Sequence, residues 1–190
     1  QPSTTFENRQ TPDGRVQVLH HIAPALDFYH VPELWRQAPQ VHLAPVVHEV
    51  NPGIAHYFPT AQIMLTPQGW LRTWDKDGQV HCADWPEARH AVGQVDIVVL
   101  SEEDLNCDSA RIEEMAQATR ILVVTQGAQG ATLYLEGRKH LIPAPIVEEN
   151  DATGAGDIFA AAFFVRFFDT QDPLDAVNYA IGQSVMQEST

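Results

Sequence analysis

Two aspartates flank a glycine-rich stretch in Asp151-Ala152-Thr153-Gly154-Ala155-Gly156-Asp157, directly ahead of an apolar run rich in alanine. Backbone N–H groups at a Gly-rich turn and at a helix N-terminus lack intrahelical partners and favour negative charge, so this string describes an anion site. Gly154, Ala155 and Gly156 carry little or no side chain, which lets a phosphate approach their amides closely and lets those amides stabilise developing charge. Asp157, just inside the helix, is placed to take a proton from a group held there. A glycine-containing helix start capped by Asp151 is the plainer alternative. Single glycines do not separate the two readings, whereas two carboxylates spaced across Gly-Ala-Gly favour the functional one.

Three further stretches fall where open α/β sheets place ligands, at strand ends and helix starts. Thr125-Gln126-Gly127-Ala128-Gln129-Gly130-Ala131 ends an apolar run in a Gly-x-x-Gly loop that could pass beneath a nucleotide, although alone it is only a turn. Ser101-Glu102-Glu103-Asp104 could hold Mg²⁺ through water beside bound phosphates, and serves equally well as ordinary helix capping. Glu148-Glu149-Asn150 adds acidity upstream of Asp151, as a solvated loop or an aid to a metal. Neither G-x-x-x-x-G-K-[ST] nor G-x-G-x-x-G occurs, which removes the main sequence support for a P-loop NTPase or a Rossmann dehydrogenase.

The elements that must position these residues alternate along the chain. Thr4–Glu7 and Val16–Leu19, around Asp13-Gly14, read as an antiparallel ribbon, and Pro32 to Gln37 as a short helix with Pro in its first turn. Val41 to Val47 reads as a buried strand, Gln62–Thr66 as a strand ending at Pro67-Gln68-Gly69, and Asp96–Leu100 as an apolar strand. Asp108 caps a helix to about Thr119, and Ile121–Thr125 follows as another apolar strand, which makes a strand–helix–strand parallel unit. Ala131–Leu135 and Lys139–Ile142 read as a hairpin turning at Glu136-Gly137-Arg138, after which helices run from Gly154 to about Phe168 and from Pro173 to about Gln187. No internal repeat or linker divides the chain.

At 190 residues and 44% hydrophobic content the chain can bury a core, as one ordinary domain or two small ones. Its 25 acidic against 11 basic residues, net −14, argue against nucleic acid or an anionic membrane as the main partner. A phosphate ligand therefore needs a metal ion and backbone amides. No stretch approaches the roughly 20 apolar residues of a membrane helix, the first residues lack signal-peptide character, and the expected location is the cytoplasm. Cys82 and Cys107 show no ligand spacing and suit small, partly buried positions; the nine histidines contain no His-Glu-x-x-His element and suit structural or surface roles. Trp70, Trp74 and Trp85 suit core or lid packing better than ligand stacking.

With these residues in view, the chain resembles the ribokinase-like, or PfkB, family of carbohydrate kinases. The resemblance rests on Asp151 to Asp157, which looks like the family's C-terminal signature, and on Gln126 to Gly130 placed upstream as its nucleotide loop. It is strong from about Asp96 to the end. Ser101 to Asp104 sits where the family carries an Asn-x-x-Glu metal and phosphate motif, with Ser and Asp in place of Asn and Glu.

The resemblance implies a three-layer α/β/α fold with a mostly parallel sheet and a small antiparallel lid within residues 1–23. It implies one kinase domain over residues 1–190 that starts well inside the family pattern, without its N-terminal part. It further implies ATP and Mg²⁺ as cofactors and transfer of a phosphoryl group to a hydroxyl of a sugar, nucleoside or related polyol, and leaves a homodimer open as the assembly. Asp157 would be the base, Thr153, Gly154, Ala155 and Gly156 the anion hole, Thr125, Gly127, Gly130 and Asp151 the ATP site, and Asp104 a contact to Mg²⁺ through water. The rival reading is a nucleotide-binding or regulatory module without a complete acceptor pocket. A third is an unrelated α/β phosphate binder that reached the same helix-terminus chemistry independently.

Overall fold

The computed structural model describes residues 3–11, 14–106, 108–145 and 154–188. Its apolar runs pair as the spacing predicts. β1 (Thr5–Thr11) and β2 (Gly14–His21) form an antiparallel ribbon. β3 (Gln40–Leu43), β4 (Gln62–Leu65), β7 (Ile97–Ser101) and β8 (Ile121–Thr125) lie parallel to one another. Between β4 and β7 the chain adds a small antiparallel pair, β5 (Arg72–Trp74) with β6 (Val80–Cys82), and a short helix α1 (Ala88–Val92). The hairpin of β9 (Ala131–Leu135) and β10 (Arg138–Ile142) completes a six-stranded sheet in the order β10-β9-β8-β7-β4-β3. Its turn places Glu136 (φ 49°) and Gly137 (φ 77°) in the left-handed region, the backbone of a two-residue hairpin turn that matches strand twist.

Both faces of the sheet are covered, so alternate side chains of each strand enter different cores. Val98 and Leu100 of β7 and Leu122 and Val124 of β8 join Trp70, Leu71, Trp85 and Met115 beneath α1 and α2 (Ser109–Ala118). Ile97, Val99, Ile121 and Val123 face α3 (Ala155–Thr170) and α4 (Pro173–Glu188) and meet Phe159, Phe163, Phe167 and Val177. The three layers are those the sequence implies. As expected, Asp108 caps α2 through Oδ1, which accepts from the amides of Ala110 and Arg111.

Three readings need correction. The buried strand expected over Val41–Val47 stops at Leu43 and is the sheet's edge, with His42 exposed. Pro45 cannot extend a ladder, and Val46 and Val47 instead give their amides to the Glu49 carboxylate. The helix expected from Pro32 to Gln37 is a single 3₁₀ turn, Glu33–Trp35. The small antiparallel element also has a second layer that the sequence did not show, since β2 is stitched to the β5–β6 pair by Leu19 N to Gly78 O at 2.8 Å and by the Val18–Gln79 bridge.

Trp70 and Trp85 lie in the core with ring centroids 5.1 Å apart, and Trp74 packs against His48, as packing roles require. Cys82 is half-buried and donates its thiol to the Asp104 carbonyl, while Cys107 lies outside the described residues. Phe163 is fully buried and couples α3 to the sheet. Phe163→Ala is expected to lower the unfolding free energy by about 3–5 kcal/mol in urea denaturation; a loss below about 1 kcal/mol would show that α3 is not seated as described.

Candidate functional site

The carboxyl ends of β4, β7 and β8 open onto a common edge, the place where parallel sheets present ligands. β4 runs into the 3₁₀ segment Pro67–Leu71, β7 into the acidic 3₁₀ turn Glu102–Leu105, and β8 into the Gly127–Gln129 turn. The N-terminus of α3 arrives over these ends with Gly154 at its cap in a left-handed conformation (φ 84°) and Asp157 in its first turn. Thr153 and Asp151, assigned to the anion hole and the ATP site by sequence, lie outside the described residues, as do Glu148, Glu149 and Asn150.

Two cavities meet at this edge. One, of about 660 Å³, lies beneath the N-terminal ribbon and is lined by Phe6, Gln17, Arg72, His81, Asp104 and Asp157 among others. The second, of about 720 Å³, runs from the Gly127–Gly130 loop to α4, with Thr125, Glu102, Pro145, Phe159 and Ile181 in its walls. Among the described residues, Gln68, Glu103 and Gly156 line both. The structure thus brings Gly154, Gly156 and Asp157 to the first cavity, and Thr125, Gly127, Gly130, Ala155 and Gly156 to the second. Asp157 faces only the first.

The loop after β8 is a built feature. Gln126 N donates to Gly130 O at 2.8 Å, and Gly130 (φ 101°) presses so closely on the end of β10 that a Cβ would stand 2.2 Å from Ile142 O. Gly130 is therefore required by packing, while Gly127 faces open space where a ligand can approach its backbone.

The acidic turn is held as a capping box. Ser101 Oγ accepts from Glu103 N at 3.3 Å, and Asp104 Oδ2 accepts from Ser101 N at 2.9 Å. Two glutamines brace its outer carboxylates: Gln68 Nε2 donates to Asp104 Oδ1 at 3.0 Å and Gln126 Nε2 to Glu102 Oε2 at 3.0 Å. Capping thus accounts for the position of Asp104. Glu103, exposed between its braced neighbours, reaches both cavities. The described residues hold no group of three metal-ligating side chains; Glu103 and Asp104 are the carboxylates of this turn that line the cavity beneath the ribbon, oxygen donors of the kind a hard divalent cation takes.

Sequence reasoning did not single out Gln68, Arg72 or His42. Gln68 lies just after Pro67, at the carboxyl end of a parallel strand, where nothing local in the sequence sets it apart. His42 bonds Thr66 Oγ1 at 3.1 Å and packs edge-on against Phe164 of α3. Although His42 stands at the exposed sheet edge, packing of its ring against α3 removes part of its water and holds the imidazole below the ordinary value, and the Asp157 carboxylate pulls the other way.

The fold is α/β with two neighbouring cavities at the carboxyl ends of its parallel strands, and comparison with known proteins gives the family. The model of the pfkB family carbohydrate kinases matches residues 77–189. The chain is 29% identical over 104 residues to probable fructokinase-5 of Arabidopsis thaliana, covering 47% of this chain and 32% of that protein. It is 35% identical over 105 residues to inositol 3-kinase of Zea mays, covering 53% and 26%. The solved structure of a sulfate complex of a pyrophosphate-dependent kinase in the ribokinase family superposes with a TM-score of 0.80 at 19% identity, covering 98% of this chain and 69% of that one, which shows a shared fold. The chain belongs to the PfkB family of carbohydrate kinases. The matched stretches span about a third or less of the two curated relatives.

Because the folded-state pKa of His42 lies below that of the unfolded chain, the unfolded state takes up the extra proton first as pH falls. The neutral imidazole's contribution to stability is present above the ordinary histidine value and is lost as pH drops through the lower, folded-state value. Asp157→Asn is expected to lower the His42 titration midpoint further, followed by NMR of the imidazole; an unchanged midpoint would show that the two side chains are electrostatically independent.

Proposed function

We propose that the protein transfers the γ-phosphoryl group of ATP to a hydroxyl of a sugar or polyol. The observation that carries this reading is the position of Gly156, whose backbone lines both cavities while Asp157, its neighbour, faces only the one beneath the ribbon. The family supports a sugar as acceptor, and the fructokinase and inositol 3-kinase relatives extend the range to ketoses and cyclic polyols.

In this reading ATP occupies the cavity between the Gly127–Gly130 loop and α4. Its adenosine lies against Pro145, Ile181 and Val185, and its phosphates point at the start of α3. Gly127 lets the loop backbone approach the nucleotide, and Thr125 closes the floor at the end of β8. The acceptor lies beneath the ribbon with its hydroxyl toward Asp157. As the hydroxyl oxygen attacks, its proton passes to a carboxylate oxygen of Asp157 and the bond between the γ-phosphorus and the bridging oxygen breaks, leaving ADP. The amides of Gly154, Ala155 and Gly156 stabilise charge on the phosphoryl oxygens. Mg²⁺, held through water near Glu103 and Asp104, would neutralise phosphate charge.

Asp157→Asn in the full-length protein is expected to lower kcat by about 10²–10⁴-fold while ADP binding is retained, measured by coupled ADP release and calorimetry. Normal transfer by this variant to the true acceptor would overturn the assignment. Acceptor-dependent ADP release across a panel of sugars, polyols and nucleosides tests the wider reading, and nucleotide binding without such release would identify a nucleotide-binding module. Chelation of divalent ions is expected to abolish turnover and Mg²⁺ to restore it; full activity in excess EDTA would exclude the metal.

A further inference from the structure

The boundary that the two cavities share, called the passage below, poses an electrostatic problem. A transferring phosphoryl group carries negative charge on its equatorial oxygens, yet the protein offers carboxylates nearby: Glu103 in the passage itself, and Asp104 and Asp157 at its acceptor side. Gly156 can supply a backbone N–H at one wall. Gln68, which also lines both cavities, is a neutral side-chain donor placed with Glu103 and Gly156 where the cavities meet.

The orientation of the Gln68 amide follows from its partner. A carboxylate can only accept, so the atom 3.0 Å from Asp104 Oδ1 is Nε2, and the amide oxygen turns away. An amide nitrogen carries two hydrogens, and this bond uses one. The backbone beneath Gln68 is fixed as well. Gly69 N donates to Pro45 O at 2.9 Å, and Gly69 lies so close to that strand-end loop that a Cβ would stand 2.4 Å from the Pro45 carbonyl. Pro67 and Gly69 on either side are buried while Gln68 itself is exposed into the cavities, so a rigid support presents one polar side chain to the passage.

We infer that Gln68 is a catalytic residue which donates its second Nε2 hydrogen to an equatorial oxygen of the phosphoryl group in transit, from the side of the passage provided by the β4 end. This rests on the proposed phosphoryl transfer and adds a side-chain donor to its backbone anion hole. The bond to Asp104 serves the same purpose, because it fixes the rotamer before substrate arrives and leaves no reorganisation for the transition state. Glutamine suits the place chemically. Lysine or arginine there would pair with the surrounding carboxylates, and glutamate would repel both the phosphoryl group and Asp104.

Gln68→Met keeps the length of the side chain and removes its hydrogen bonds; Gln68→Glu keeps the shape and adds charge. In the full polypeptide, with an acceptor that supports ADP release, Gln68→Met is expected to lower kcat about 10–100-fold, with KM for ATP and acceptor changed by less than about threefold. Gln68→Glu is expected to lose more. Affinity for ADP with aluminium fluoride, a mimic of the planar phosphoryl group, should fall in Gln68→Met while affinity for ADP alone stays level. Gln68→Met with kcat within about twofold of the parent, or with its whole loss in KM, overturns the inference, as does equal binding of the mimic by parent and variant. A parent protein that releases no ADP with any acceptor would instead overturn the phosphoryl-transfer reading itself.

Discussion

Burial of the aromatic face of α3 against the sheet is the constraint on which the site depends. Phe159, Phe163 and Phe167 insert beside Ile97, Val99, Ile121 and Val123, and Phe163 stacks on Phe167 with centroids 5.9 Å apart. Side chains spaced four apart share one helix face, so these rings fix both the height and the rotation of the helix. Once they are set, Asp157 has a single place to stand, just past the carboxyl ends of β7 and β8. A helix held more loosely would leave the amides of its first turn unaimed, and aim gives such a terminus its value for an anion.

The acidic turn shows a second kind of constraint. Three consecutive carboxylates, Glu102, Glu103 and Asp104, would repel one another in a chain already at net −14. The fold separates them by giving the outer two amide partners from different strand ends, Gln126 and Gln68, and by tying Asp104 back to Ser101. Gln126 is itself oriented by Thr132, whose hydroxyl donates to its amide oxygen at 2.8 Å. Neutral donors thus organise the turn without cancelling the charge at its centre.

Much of this was legible in the sequence, for physical reasons that also explain the misses. β7 and β8 are buried on both faces, so they read as unbroken apolar runs, and α2, α3 and the β9–β10 hairpin carry cap and turn chemistry local to the chain. The β5–β6 pair is only three residues on each strand and takes its place from contacts with β2, which no local pattern records. At β3, the apolar content of Val41 to Val47 outweighed Pro45, although the proline decides where the ladder ends. In the site, Asp157 was legible because glycines and an aspartate before a helix form an unusual string. Gln68 was not, because a glutamine after a proline is chemically unremarkable until tertiary structure places it between two cavities.

The ribbon over the cavity proposed for the acceptor has a consequence for selectivity against solvent. A carboxylate base facing a polar cavity treats a water molecule much as it treats an alcohol, and an enzyme of this design would waste its donor by hydrolysis whenever the cavity stood wet and open. β1 and β2, clasped to β5 and β6 through Gly78 and through the Arg72 guanidinium over the Phe6 ring, put an apolar ring and a ladder-bonded wall on the side opposite the helix terminus. On the proposed reaction, economy of the phosphoryl donor would then rest in part with a two-stranded element set over the cavity rather than with the carboxylate that faces it.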